Sequence, residues 1–306
     1  MSPALRSSRR AFLLGLAASL VACGRRGDGS RDGDGLVEVH ELHEDGDGDG
    51  AEPMRGVVLL PRWGRPDEKL PVLVALPGRA EALRGPASAL AWLREYELAR
   101  AIGHLRNPPL PPAAFHGHVD PSRLQALQRS LAERPFRGLV VLCPSIPEAL
   151  AKQPDLHQAN AFGRRVLGLL PQLRAMRPGL AEPLVGIDGV SFGGRLALDV
   201  GLLHARSFAA VGALQPALRP GEGETLVDRA RKALAENPRL RLRLVTSRGD
   251  DFRDEVTALH TALDEGGLPH EYALLEGPHG YAFNRGPGAI EMLLWHDRVL
   301  RGEPGL

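Results

Sequence analysis

The stretch "GIDGVSFGGRLALDV" (residues 186–200) decides how this chain is read. It places Ser191 between Gly189 and Gly193, with Gly194 following, where the apolar run "EPLVGID" (182–188) meets the apolar run "LALDVGLLHA" (196–205). The first run has the look of a buried strand and the second of a buried helix. A bare G-x-S-x-G is weak evidence in a chain with 36 glycines. Its setting carries more weight: glycines around a serine at a strand-to-helix junction let the backbone turn sharply enough for the hydroxyl to project above a sheet. No other serine in the chain has that setting.

Working outward, short apolar runs alternate with helix-patterned segments. "LVEVHEL" (36–42), "RGVVLLP" (55–61), "LPVLVALPG" (70–78), "RGLVVLCP" (137–144), "SFAAVGALQ" (207–215), "RLRLRLVTS" (239–247) and "HEYALLEG" (270–277) read as further strands. Between the later ones lie the amphipathic "ETLVDRARKALAEN" and "FRDEVTALHTALDEGG", and "GAIEMLLWHDRVLRG" closes the chain. This alternation predicts an α/β fold, a mostly parallel sheet with helices on both faces. The connection from Gly78 to Arg137 is unusually long. It holds two helical stretches around the proline-rich "RNPPLPPAAFHGHVDPS" (106–122), and reads as a helical and proline-rich cap excursion over about 82–134. Its Trp92, Tyr96 and Phe115 either line a pocket or pack beneath the excursion.

A serine nucleophile needs a base, and the base an orienting acid. His279, in "EGPHGYAF" (276–283), follows the carboxyl end of a strand, where sheet-based sites assemble. His260 and His296 fall inside helix patterns and His270 begins a strand, which suits structural roles. The loop "SRGDDFRD" (247–254) offers Asp250 and Asp251 as the acid. An oxyanion needs two donors: the backbone N–H of Phe192, after the serine, and an N–H of "PGRAE" (77–81), taken as Arg79 with Ala80 as the alternative.

The N-terminus reads as an address. Residues 1–23 hold Arg6, Arg9 and Arg10 before an apolar run too short to span a bilayer, the pattern of an export signal. "SRRAFL" (8–13) resembles a twin-arginine signal and "LVAC" (20–23) a lipobox, in which Cys23 would carry lipid. Residues 24–35 read as a flexible tether and 36–306 as the folded domain. The expectation is an exported, lipid-anchored protein of a bacterial cell envelope, with the membrane as a partner through that anchor. A formal net charge of +1, dispersed along the chain, gives no basis for nucleic-acid binding. Cys23 and Cys143 form no disulfide framework, and Cys143 reads as a core residue. No metal is expected. Asp45, Asp47, Asp49 and Gly50 match half of a calcium loop, but Gly56 stands where its bidentate glutamate belongs, and His116 and His118 lack a second ligand cluster.

Together, "GIDGVSFGGRLALDVGLLHARSFAAVGALQPA" (186–217), "LPG" (76–78) and "GPHGYAFNRG" (277–286) make residues 55–300 resemble the esterase D and feruloyl-esterase-like branch of the α/β-hydrolases. The resemblance implies a serine hydrolase of carboxylic esters, acting on a small-molecule or cell-envelope ester through an acyl-enzyme, with no metal or organic cofactor. In that fold the acid commonly stands two residues before a hydrophobic one, and Phe252 then selects Asp250. Pro77-Gly78 replaces the His-Gly usual at the oxyanion loop. Two other readings share the fold: an acyltransferase, since the branch includes mycolyltransferases, and a catalytically idle anchored binding module.

Overall fold

The apolar runs read from the sequence become eight strands: β1 (Val37–Glu44), β2 (Met54–Pro61), β3 (Val72–Leu76), β4 (Val140–Pro144), β5 (Val185–Gly189), β6 (Ala210–Leu214), β7 (Arg241–Gly249) and β8 (Glu271–Pro278). The computed structural model describes residues 35–44, 53–65, 67–176, 178–180 and 184–306. The export signal with Cys23, the tether up to residue 34 and the acidic turn with Asp45, Asp47, Asp49 and Gly50 lie outside the described residues. Among those described, no helix is long and apolar enough to cross a membrane.

The strands form one sheet in the order β1-β2-β4-β3-β5-β6-β7-β8. β1, β2 and β4 pair antiparallel, and from β4 to β8 every neighbour is parallel. Every residue of β3, β4, β5 and β6 is buried. That is why these segments read as unbroken apolar runs: a parallel strand covered on both faces has no solvent side to alternate with.

The covering helices are α1 (Arg79–Ala82), α2 (Ala91–Arg94), α3 (Leu98–Arg106), α4 (Pro121–Glu133), α5 (Glu148–Lys152), α6 (Leu156–Ala175), α7 (Phe192–Leu203), α8 (Gly223–Glu236), α9 (Arg253–Glu265), α10 (Tyr281–Phe283) and α11 (Ala289–Val299). Side chains alternate across the sheet, so Val58, Leu60, Val72 and Val74 face a core built with α6, α7, α8 and α9. Val57, Leu59, Leu73 and Ala75 face a second core built with the 82–134 excursion and α11.

The excursion thus supplies a packing layer over this face of the sheet. Trp92, Tyr96 and Phe115 are 0–1% exposed and pack in this second core. The physical reason is that this face of the sheet would otherwise be bare between β2 and the closing helix, and the excursion supplies the apolar stripe that covers it. α4 starts with Asp120 accepting from Ser122 N (2.8 Å) and Pro121 in the first turn, so its orphan donors are satisfied locally. It is tied down by Arg123, which donates to the Glu291 carboxylate on α11 (2.7 Å). Arg243 of β7 donates to the same carboxylate (2.6 Å). Burial alone would push the Glu291 carboxyl up, but Arg243 and Arg123 hold it below its ordinary value.

Trp92→Ala should therefore act on stability: a fully buried indole lost from a packed layer costs about 3–5 kcal/mol. A shift of the urea midpoint at unchanged slope would register it; a change under 1 kcal/mol would contradict the burial.

Candidate active site

β5 ends at Gly189, and α7 begins at Phe192. Between them, Ser191 has φ 57° and ψ −119°, a conformation that costs a non-glycine residue about 1–3 kcal/mol. The flanking glycines are required by close backbone approach. A Cβ on Gly189 would lie 2.6 Å from the carbonyl carbon of Gly193. One on Gly193 would lie 2.5 Å from the carbonyl oxygen of Leu76 and against that of Pro77, and one on Gly194 would lie 2.9 Å from that of Leu214. The ends of β3 and β6 thus close on the first turn of α7 with no room for side chains. Ser191 N donates to Leu214 O (2.9 Å) and Ser191 O accepts from Ala217 N (3.0 Å), which holds the strained turn.

Just beyond β8, His279 points its ring at that serine. Its Nε2 is 3.0 Å from Ser191 Oγ and its Nδ1 is 2.8 Å from Asp250 Oδ1. A carboxylate only accepts, so Nδ1 carries the hydrogen and Nε2 offers its lone pair to the serine hydroxyl. The Asp250 side chain is fully buried, and it also accepts from the Thr246 hydroxyl (2.6 Å) and from Phe252 N (3.1 Å). Asp251, the alternative acid, is exposed. Phe252 stands edge-on to the imidazole, its ring centroid 5.3 Å away.

Arg79 and Phe192 are the first residues of α1 and α7, so neither N–H has a partner within its own helix. The two helix starts meet at the serine: a Cβ on Gly78 would lie 3.9 Å from Ser191 Cβ. The Arg79 guanidinium lies over the Phe192 ring, 5.2 Å from its centroid. Ala80 follows in the same turn of α1. Beside them opens a cavity of about 130 Å³ bordered by Arg79, Phe192, Leu196, Ala217 and Arg219.

Several residues that position this site were missed in the sequence. Gln215, fully buried with φ 44°, donates through Nε2 to Ser247 Oγ (2.7 Å) and to Pro278 O (3.1 Å). Ser247 in turn donates to Gly277 O (2.6 Å). The loop bearing His279 is thereby anchored to the ends of β6 and β7. The buried Glu81 carboxylate accepts from Tyr96 (2.6 Å) and Tyr281 (2.5 Å), while Tyr96 Oη accepts from Gly78 N (3.0 Å). Burial and the Glu81 charge push the Tyr96 hydroxyl well above the ordinary phenol range, so it remains a donor. The available signal was a polar residue ending an otherwise apolar strand, as Gln215 and Thr246-Ser247 do.

The residues set aside earlier lie elsewhere. His296 is buried and faces Asp188 (3.0 Å). His260 and His270 meet before the start of β8, at the end opposite His279. Cys143 is buried, and burial pushes its thiol far above the ordinary range.

No protein-family model matches this sequence, and no curated protein matches it. Solved structures do. A ferulic acid esterase superposes with a TM-score of 0.58 at 13% identity, over 87% of this chain and 98% of that one. The S-formylglutathione hydrolase of Staphylococcus aureus gives 0.58 at 14% identity, over 86% and 99%. A ferulic acid esterase of the anaerobic fungus Anaeromyces mucronatus gives 0.53 at 18% identity, over 83% and 89%. The fold is the α/β-hydrolase fold.

Thr246→Val removes the donor to Asp250 Oδ2 without changing shape. It leaves a buried carboxylate oxygen unsatisfied and should lower stability by about 1–3 kcal/mol in denaturant unfolding at neutral pH. An unchanged midpoint would show that another donor replaces it.

Proposed function

We propose that this protein is a serine carboxylesterase. One observation carries the reading: Ser191 Oγ, His279 and Asp250 form a continuous hydrogen-bonded chain, 3.0 and 2.8 Å per link, at the carboxyl ends of parallel strands. In this mechanism His279 Nε2 takes the serine proton as Oγ attacks the ester carbonyl. Asp250 holds the imidazole in the tautomer that can accept and stabilises the imidazolium. The oxyanion forms beside the N–H groups of Phe192 and Arg79, and helix starts supply donors that need no reorganisation. The protonated His279 then delivers its proton to the leaving alcohol. Water, activated by the same nitrogen, releases the acid from the acyl-enzyme. Solved structures similar to this chain include ferulic acid esterases and an S-formylglutathione hydrolase by their printed names, which supports the same class. The binding-module reading is disfavoured by the aligned Ser-His-Asp chain, which a mere scaffold has no need to keep strained.

Ser191→Ala and His279→Ala should each lower turnover of an activated aryl ester by several orders of magnitude with the fold retained, because the three groups act as a unit. Asp250→Asn should cost about four orders of magnitude and Asp251→Asn less than about tenfold, since only the former orients the ring. A fluorophosphonate should label the wild type and not Ser191→Ala. Full activity in Ser191→Ala would end the proposal.

We also propose export and anchoring through Cys23, on the lipobox-like "LVAC" alone. Cys23→Ser should leave ester hydrolysis unchanged and move the protein from the membrane pellet to the soluble fraction, since stable anchoring takes more than one acyl chain. A variant that still pellets would refute the anchor.

A further inference from the structure

Away from Ser191, the C-terminal half of α9 and the residue just before β8 bring together His260, Asp264 and His270, whose ligating atoms all lie within 4.8 Å of one another. His270 Nδ1 is 2.9 Å from the carbonyl oxygen of Leu268. A carbonyl can only accept, so Nδ1 carries the ring hydrogen and Nε2 is left with its lone pair. That lone pair faces His260 Nδ1 at 2.8 Å and the Asp264 carboxylate at 3.9 Å. The other nitrogen of His260 lies 3.6 Å from the same carboxylate, too far for a hydrogen bond. His260 thus has one nitrogen against the His270 lone pair and the other turned toward a carboxylate that it does not hydrogen-bond.

We propose that these three side chains bind a divalent transition-metal ion of the zinc type. Two imidazoles and one carboxylate are the donors such an ion prefers; magnesium and calcium take oxygen ligands. The site is also supported from outside. The Leu268 carbonyl fixes the tautomer of His270, whose side chain is 1% exposed. The His260 ring stacks on Tyr272, centroids 4.1 Å apart and 4° from parallel. Outer partners of this kind hold ligating imidazoles in place before a metal arrives. Asp264 is the exposed member, its side chain 63% accessible, which leaves the remaining coordination positions to water.

The location assigns a role. The three residues clamp the Gly266-Gly267 turn that joins α9 to β8. Asp250 lies just before α9 and His279 just after β8, so a metal here fastens the unit that presents both partners to Ser191. Its effect falls on the stability of that unit and not on the chemistry, and the proposal does not rest on esterase activity.

The test uses the full chain after dialysis against a chelator, titrated with Zn²⁺ by calorimetry and with Co²⁺ by visible absorption. The wild type should bind one equivalent, show the cobalt absorption of a nitrogen- and oxygen-ligated site, and unfold at a higher temperature with metal than without. His260→Gln and His270→Gln should each weaken binding by at least about tenfold and abolish the thermal shift. A His116→Gln/His118→Gln variant should bind as the wild type does. His260 is the less buried of the two histidines, so its variant keeps the test valid if His270→Gln fails to fold. Absence of stoichiometric binding by the wild type, or undiminished binding by His260→Gln, would overturn the proposal and leave a hydrogen-bonded histidine pair beside a solvated carboxylate.

Discussion

The structure depends on how closely three backbone segments approach one another. The end of β3, the end of β6 and the first turn of α7 meet at Gly189, Gly193 and Gly194, where any Cβ would collide with main-chain atoms that cannot move aside. That packing forces Ser191 into its positive-φ turn and lifts its hydroxyl clear of the sheet. The strain there is borne by backbone hydrogen bonds, among them those to Leu214 O and from Ala217 N, so the serine's position is set by the sheet and not by its own side chain.

The same logic extends to the groups around it. Parallel strands deliver their loops to one edge of the sheet, but delivery alone does not align an imidazole to within hydrogen-bond distance of both neighbours. Here alignment comes from buried polar residues under the loops. Thr246 fixes the free oxygen of Asp250, Gln215 and Ser247 hold the carbonyls just before His279, and Tyr96 with Glu81 holds Gly78 at the entrance to α1. Each of these bonds lies in an interior where an unmet partner is expensive, which makes the arrangement rigid.

The long excursion illustrates what composition leaves open. Its proline-rich centre and its aromatic residues have the composition of a lid, yet the aromatics are buried against the second face of the sheet. Composition reports that a segment has apolar area to cover. It does not report which surface covers it, and an uncovered sheet face competes with any cavity for that area.

What the sequence determined by itself was local. Continuous apolar runs identified β3, β4, β5 and β6, because burial on both faces removes alternation. Glycine spacing located the serine turn, because only glycine tolerates backbone contact on every side. The same loop offered both Asp250 and Asp251, and chain order placed His279 beyond a strand end. Phe252 favoured Asp250 by resemblance alone; the tertiary structure supplies the physical difference, burying Asp250 beneath the imidazole and turning Asp251 to solvent. It alone brought Gln215, Thr246 and Tyr96 to their posts and joined His260 to His270. Those relations link residues far apart along the chain or facing one another across a turn, and their distances follow from how the strands pair and the helices pack, which no local pattern records.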